Sequence, residues 1–355
     1  MSKVVELTPP GRSIVDLFAG SGVVSREFAR HRPVLSVDVQ AYSATLASAL
    51  STPRAYERST RQRIVARARE WVRAVTPAVS DLLAYEAVAS ASALSAPESF
   101  ARLVEEGSLT SLAATDADLA NAKASAQPRL DAASATLTRY YGGVYFSYTQ
   151  ALELDALLAA IDHQPDSPAE ATLVAAVLGT ASDLVATVGS HFAQPSRLRD
   201  RSGVVKPAVA ARVLRARNTS AFELFDKWLQ RYASLEVAEH PCATATMDFR
   251  VILNGLEPSV GAIYADPPYT RDHYSRFYHV LETIALGDDP GVTLTPGTSS
   301  PSRGLYRSQR HQSPFSIRSE VVGAFDSMFA AAQRQRIPLI LSYSPQGGGT
   351  KARPE

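Results

Sequence analysis

The chain has 355 residues, enough for one large or two ordinary domains, and its 45% hydrophobic and 20% charged residues suit a protein with a sizeable core. Its 36 Lys and Arg nearly cancel 35 Asp and Glu, so bulk charge announces no nucleic-acid partner and any such signal has to be local. The single cysteine, Cys242, excludes a disulfide framework or a cysteine-based zinc cluster. Apolar runs break well short of the ~20 residues of a membrane span, and MSKVVELTPPGRS lacks the apolar stretch of a secretory signal. A cytoplasmic enzyme or binding protein with no membrane contact is expected.

In chain order, SIVDLF (13–18) is a short apolar run that leads into AGSG and then a helical pattern, VVSREFARH, before a second strand-like run, PVLSVDV (33–39). Strand, glycine-rich turn, helix and strand open a βαβ unit of a parallel sheet. From about Thr52 to Asp162 the chain is rich in Ala, Ser, Leu and Arg. Trp71, Val75, Val79, Leu82 and Leu83 recur at helical spacing, which predicts a helical insertion, with a loosely packed helical pair over 87–136. Residues 190–231 hold nine Lys and Arg against Asp200, Glu223 and Asp226. Strands are expected at Ala243–Phe249 and Ala262–Ala265, then a long polar loop (about 287–316), a helix over Ser319–Gln335 and a last strand in PLILSYS. The partition is a catalytic core (1–50 and 236–355), a helical insertion (51–189) and a basic segment for target recognition (190–235). One interrupted α/β sheet accounts for strands at both ends of the chain.

Two motifs carry chemistry. In Asp16-Leu-Phe-Ala-Gly-Ser-Gly22, Gly20 and Gly22 let the backbone turn tightly beside a ligand where a helix begins. Asp38 ends the next strand, where an acid hydrogen-bonds ribose hydroxyls. Ser25 stands where GxGxxG would have its third glycine, and Asp16 suits an amino-bearing ligand such as the methionine end of S-adenosylmethionine. The second motif, Asp266-Pro267-Pro268-Tyr269, follows the run GAIYA. Two prolines cannot continue a central strand and form a rigid exit from its C-terminal end. An exocyclic amine on a base ring is a poor nucleophile. The Asp266 carboxylate and the Pro267 carbonyl can hold its two N–H groups and favour a more tetrahedral nitrogen, and Tyr269 offers a flat face to a base turned out of its duplex.

On these residues the chain resembles the DNA amino-methyltransferases with FxGxG and DPPY motifs, in particular the DNA adenine methylase group. The resemblance covers about 11–40 and 244–285 and resumes at PLILSYS. It implies a Rossmann-like α/β methyltransferase sheet with a large helical insertion, S-adenosylmethionine as cofactor, and methylation of adenine N6 in double-stranded DNA. The setting implied is restriction–modification or phage defence, with a companion restriction endonuclease. Asp16, Phe18, Ala19, Gly20, Gly22 and Asp38 match the cofactor side, Asp248 stands where an acid approaches the cofactor's adenine, and Asp266, Pro267, Pro268 and Tyr269 match the catalytic tetrapeptide. The family's lysine-bearing segment ahead of the cofactor loop is replaced by TPPGRS, and the chain ends soon after PLILSYS, ahead of a final hairpin. Methylation of cytosine N4 stays open, although that group more often has Ser in place of Asp266, and so does a catalytically inactive recognition module.

Candidate DNA contacts are Arg271 and Tyr274, just past the motif, and Arg303, Arg307 and Arg310 in an acid-free stretch with interleaved aromatics. Pro241-Cys242 resembles the nucleophile of cytosine-C5 enzymes, but no ENV accompanies it and a structural thiol is expected. His273 and His279 are not at metal-ligand spacing and are expected to pack or hydrogen-bond, so no metal is required. Arg61, Arg67, Arg69 and Arg73 are expected on a solvated helix face.

Overall fold

A computed structural model of the chain describes residues 1–111, 114–130, 135–164, 169–187, 189, 191–268 and 274–342. Along it run α1 (Ser2–Leu7), β1 (Ser13–Asp16), α2 (Val23–Phe28), β2 (Val34–Asp38) and α3 (Ala41–Ser51). A helical stretch follows: α4 (Arg58–Val75), α5 (Ser80–Ala91), α6 (Glu98–Glu106), α7 (Ala117–Leu130), α8 (Thr136–Tyr141), α9 (Tyr148–Ala160), α10 (Ala171–Leu184), α11 (Pro207–Arg217) and α12 (Ala221–Ala233). The chain then returns to β3 (Cys242–Thr246), α13 (Phe249–Asn254), β4 (Val260–Ala265), α14 (Tyr274–Phe277), α15 (His279–Leu286), α16 (Val321–Gln335) and β5 (Leu339–Leu341).

Among the described residues the five strands form one parallel sheet in the order β3-β2-β1-β4-β5. This is a Rossmann-like sheet, and all of α4–α12 lies in the connection between β2 and β3. Parallel strands are covered on both faces, which is why β1 and β4 read as continuous apolar runs. Alternate residues serve opposite faces: Ile14, Val34 and Ala262 pack with α1 and α2, whereas Val15, Val37 and Ile263 pack with α13 and α16.

The helical part has its own cores. One joins α8, α9, α10, α12 and α15, the other α5, α6, α7 and α11. A capping box at Ser147 and Gln150 starts α9, and Gly179 on α10 lets the Trp228 indole of α12 approach to where a Cβ would stand 2.4 Å away. The apolar run Trp71–Leu83 spans two helices, because Pro77 sits in a short 3₁₀ turn between α4 and α5. Within 87–136 lie α6 and α7, which pack against α5 rather than as a pair with each other. Of the α4 arginines, Arg61 pairs with Asp226 (2.7 Å) and Arg67 with Asp162 (3.0 Å), which fastens α4 to its neighbours.

Several boundaries and one loop differ from those expected, and β4 begins at Val260 rather than Ala262. The strand expected to Phe249 stops at Thr246, because the Asp248 side chain accepts from Arg250 N and caps α13. The helix expected from Ser319 starts at Val321. The polar loop after α15 is an irregular antiparallel excursion, held by Thr293 N to Tyr306 O (2.7 Å) and Ser302 N to Thr293 O (2.8 Å). Its base is closed by Arg307 on Asp288 (2.6 Å) and its returning limb is tied down by the Tyr145 hydroxyl on the Gly304 carbonyl (3.0 Å).

Candidate cofactor and base site

In an open α/β sheet the ligand crevice lies outside the carboxyl ends of the strands where the strand order reverses. Here that point is between β1 and β4, and each ends in one of the two motifs. A cavity of about 320 Å³ opens there, its wall including Asp16, Phe18, Ala19, Gly20, Asp38, Asp248, Asp266, Pro267, Pro268 and Tyr274.

Asp16 ends β1 and is 1% exposed. Its Oδ2 accepts from the Ser25 hydroxyl at 2.6 Å, and Ser36 Oγ lies 2.9 Å from that hydroxyl. Its Oδ1 is buried with no hydrogen-bond partner among the described residues. Burial pushes the Asp16 carboxyl up to about 7, against the Ser25 bond, which lowers it. A buried acceptor without a donor in a cavity wall fits a ligand that brings a cationic N–H.

Asp38 ends β2 and organises the glycine loop. Gly20 N donates to one of its oxygens and Gln40 N to the other, both at 3.0 Å. Ala19 N donates to the Val37 carbonyl at 3.0 Å, so the loop after β1 is held to the end of β2. Gly20 has φ +53 and a Cβ there would meet only the Phe18 carbonyl, at an ordinary 4.0 Å, whereas Gly22 has φ +77 and a Cβ there would stand 2.4 Å from Ala47 Cα. Gly22 is not in the cavity wall; its role is to let α3 close on the start of α2.

Asp266 is half-buried. Desolvation raises its pKa and a hydrogen bond with the Ser342 side chain opposes that shift. Ser342 N also donates to the Ala265 carbonyl (2.8 Å), so the residue after β5 braces the start of the proline motif. Phe18 packs with Phe249 (5.6 Å between ring centroids) and Phe315 (5.3 Å), while Asp248 is engaged by Arg250 (2.8 Å). The wall also includes Tyr42, Met247, Phe249, Ser275 and His311. No sequence signal marks these residues or Ser342; Ser25, which holds Asp16, is marked by its position in the first turn of the helix after the glycines.

Tyr269, Arg271 and His273 lie outside the described residues. Of the four other proposed DNA contacts, Tyr274 lines the cavity and the three arginines separate. Arg307 is 6% exposed and paired with Asp288, so it is a structural cation of the loop and its nomination as a DNA contact is corrected. Arg310 lies over the Tyr306 ring (4.8 Å), and exposed Arg303 lines a second cleft with Arg197, Arg199, Arg201 and Lys206. The basic segment is also partly spent inside the protein: Arg199 pairs with Glu98 (2.7 Å) and Glu105 (3.0 Å), and Arg217 is buried beside Glu86 (3.4 Å). Cys242 opens β3 at the end of the sheet remote from the cavity, consistent with a structural thiol. His279 is fully buried between Tyr141, Tyr145, Phe192 and Tyr306.

Comparison with known proteins adds to this geometry. Residues 213–329, which include the proline motif, match the family described as D12 class N6 adenine-specific DNA methyltransferase. The chain resembles the D12 class. It is 35% identical over 85 residues to the type II methyltransferase M.NlaIII of Neisseria lactamica, covering 24% of this chain and 22% of that protein. It is also 35% identical over 83 residues to modification methylase LlaI of Lactococcus lactis subsp. lactis, 23% of this chain and 12% of that protein. The chain thus spans less than a quarter of the length of these curated relatives. No solved structure matches. The D12 match begins within α11, so the cofactor loop at Asp16–Gly22 stands on the residues and the geometry alone.

Proposed function

We propose that the protein is a site-specific methyltransferase that moves a methyl group from S-adenosylmethionine to the exocyclic N6 of adenine in double-stranded DNA. The observation that carries this reading is the meeting of Asp16–Gly20 and Asp266–Pro268, some 250 residues apart, in one cavity where the strand order reverses. The D12 match over the second motif supports it.

The residues present fit the cofactor. The orphaned Asp16 Oδ1 would accept from the ammonium of its methionine end. Asp38, oriented by two backbone amides, keeps lone pairs for ribose hydroxyls, and Phe18, Met247 and Phe249 give the apolar wall a purine needs. When bound, S-adenosylmethionine supplies an electrophilic methyl group.

The chain's own part is to hold and orient the amine. The Asp266 carboxylate and the Pro267 carbonyl accept its two N–H groups and draw the nitrogen lone pair out of conjugation with the ring. Transfer leaves the nitrogen with one proton too many, and Asp266, whose pKa is raised by partial burial, is suited to receive it. Pro267 and Pro268 restrict the backbone, so this geometry is set before the base arrives.

Residues 190–235, with the Arg303 cleft beside them, are the proposed target-recognition region, and 51–189 the insertion that supports it. The relatives' names favour a restriction–modification setting with a companion endonuclease. The test is transfer of labelled methyl from S-adenosylmethionine to plasmid DNA, with the product digested to nucleosides. Label is expected in N6-methyladenine and absent with Asp266→Ala. Label in N4-methylcytosine would replace the base assignment, and no transfer by the wild type would remove the reading.

A further inference from the structure

Tyr306 carries two arginines that the proposed reaction does not use. Its hydroxyl donates to the Ala193 carbonyl at 2.6 Å and its ring meets His279 edge-on at 5.3 Å, so the ring is fixed. The Arg310 guanidinium lies 4.8 Å and that of Arg276 5.6 Å from the ring centroid. Each is attracted to the aromatic face. Together they place two like charges on one ring, and among the described residues no carboxylate pairs with either. Arg307, three residues from Arg310, does have such a partner in Asp288. Arg310 Nε is buried without a hydrogen-bond partner among the described residues. Leu305 (φ 50) and Gln309 (φ 57), next to Tyr306 and Arg310, are held in the left-handed region that non-glycine residues rarely adopt. An anion is the missing complement of such a pair.

Position says which anion. Arg276 directly follows Tyr274 and Ser275, and Arg310 directly precedes His311; all three neighbours line the cavity that ends in the proline motif. A base extruded into that cavity brings its own phosphodiester to the rim. That group carries one negative charge on two free oxygens, enough for two guanidiniums to share.

We infer that Arg276 and Arg310, mounted on Tyr306, clamp the phosphodiester beside the extruded target nucleotide and so select a base presented on a nucleic-acid strand over a free nucleoside. The inference rests on the proposed function. The clamp adds a residue the sequence does not single out, Arg276, and makes Tyr306 a positioning residue.

The test is binding of a fluorescent mixed-sequence duplex to the wild type, Arg276→Gln, Arg310→Gln and the double variant, across about 50 to 200 mM salt. S-adenosylmethionine affinity of each variant serves as the control for fold and cavity. Each phosphate contact contributes about 0.9 to the slope of log affinity against log salt. The double variant should therefore be shallower than wild type by about one unit. Because the two arginines share one phosphate, either single variant should already lose most of that unit, and Arg310→Lys should restore it. Should Arg310→Gln lose cofactor affinity, Arg276→Gln, whose side chain is exposed, carries the comparison. Slopes identical to wild type, with DNA still bound, overturn the clamp and leave the methyltransferase reading intact. Wild type that neither binds duplex nor transfers methyl overturns both.

Discussion

Asp16 combines two properties that lead to the same measurement. Its carboxyl is pushed up to about 7 by burial, and one of its oxygens has no donor. A cationic ligand favours the ionised form. S-adenosylmethionine affinity should therefore strengthen as pH rises through about 7, with a proton released on binding below it. Calorimetry in buffers of different ionisation enthalpy reads that proton, and Asp16→Asn should bind weakly with a flat pH profile. The sign for stability is opposite. A raised carboxylate pKa stabilises the free protein below the ordinary range near 3.8, and that contribution is lost as pH rises through about 7. The glycines beside it separate strain from space. Gly20→Ala meets only the left-handed backbone penalty, roughly 1–2 kcal/mol, but fills space the ligand needs. Gly22→Ala adds a clash with the Ala47 backbone, so its melting temperature should fall further. Equal losses in thermal unfolding would contradict the packing role given to Gly22.

At the scale of elements, the cofactor side and the base side are joined by a helix cap. The Glu282 carboxylate on α15 accepts from Ala41 N (3.0 Å) and Tyr42 N (3.1 Å), the first amides of α3. α3 directly follows the loop of Asp38 and Gln40, and α15 follows the proline motif. Removing the carboxylate leaves two amides of a helix start without their charged acceptor, at about 1.5–3 kcal/mol. Glu282→Ala should therefore lower thermal stability by that order and weaken S-adenosylmethionine binding as the Asp38 loop loosens, with Glu282→Gln recovering part of both. Unchanged cofactor affinity in the alanine variant would show that the cap serves stability alone. The loop after α15 is held in a similar way, by Arg307 on Asp288 at its base and Tyr145 on Gly304 along its returning limb.

At the scale of the whole molecule, the helical stretch and the segment that follows β4 meet around His279 on α15. It lies under Tyr141, Tyr145, Phe192 and Tyr306, donors of rings from the helical part and from the loop after α15. Burial pulls its pKa down to about 3. An unfolded chain takes up a proton at this residue near 6.5, so the stability from keeping it neutral is present above that pH and is lost as pH falls from about 6.5 toward 3. Asp16 acts with opposite sign over part of this window, so the informative quantity is a difference between variants. The melting temperature of His279→Phe should fall less than that of wild type between about pH 7 and 5. Parallel curves would mean that His279 is protonated without cost.

What the sequence determined by itself was local. Asp16–Gly22, Asp38 and Asp266–Pro268 signal through chain neighbours: an apolar run, a turn only glycine allows, a strand that prolines must end. The parallel α/β sheet and the helical character of the insertion follow from the same short-range patterns, and the meeting of the motifs follows from the rule that such sheets bind ligands at their carboxyl ends. The tertiary structure decided what each charge does, because partners come from far along the chain. Arg217 meets Glu86, 131 residues away, and Arg199 meets Glu98, 101 residues away, so cations that read as a DNA-facing run are in part structural. Asp248 became a helix cap held by its own neighbour Arg250, which an N-cap reading of Asp-Phe-Arg could have found. The braces Ser342 on Asp266 and Glu282 on α3 had no counterpart in any local pattern, and of the two arginines on Tyr306 only Arg310 had one. Each exists only because the fold brings a distant segment beside residues of one cavity wall.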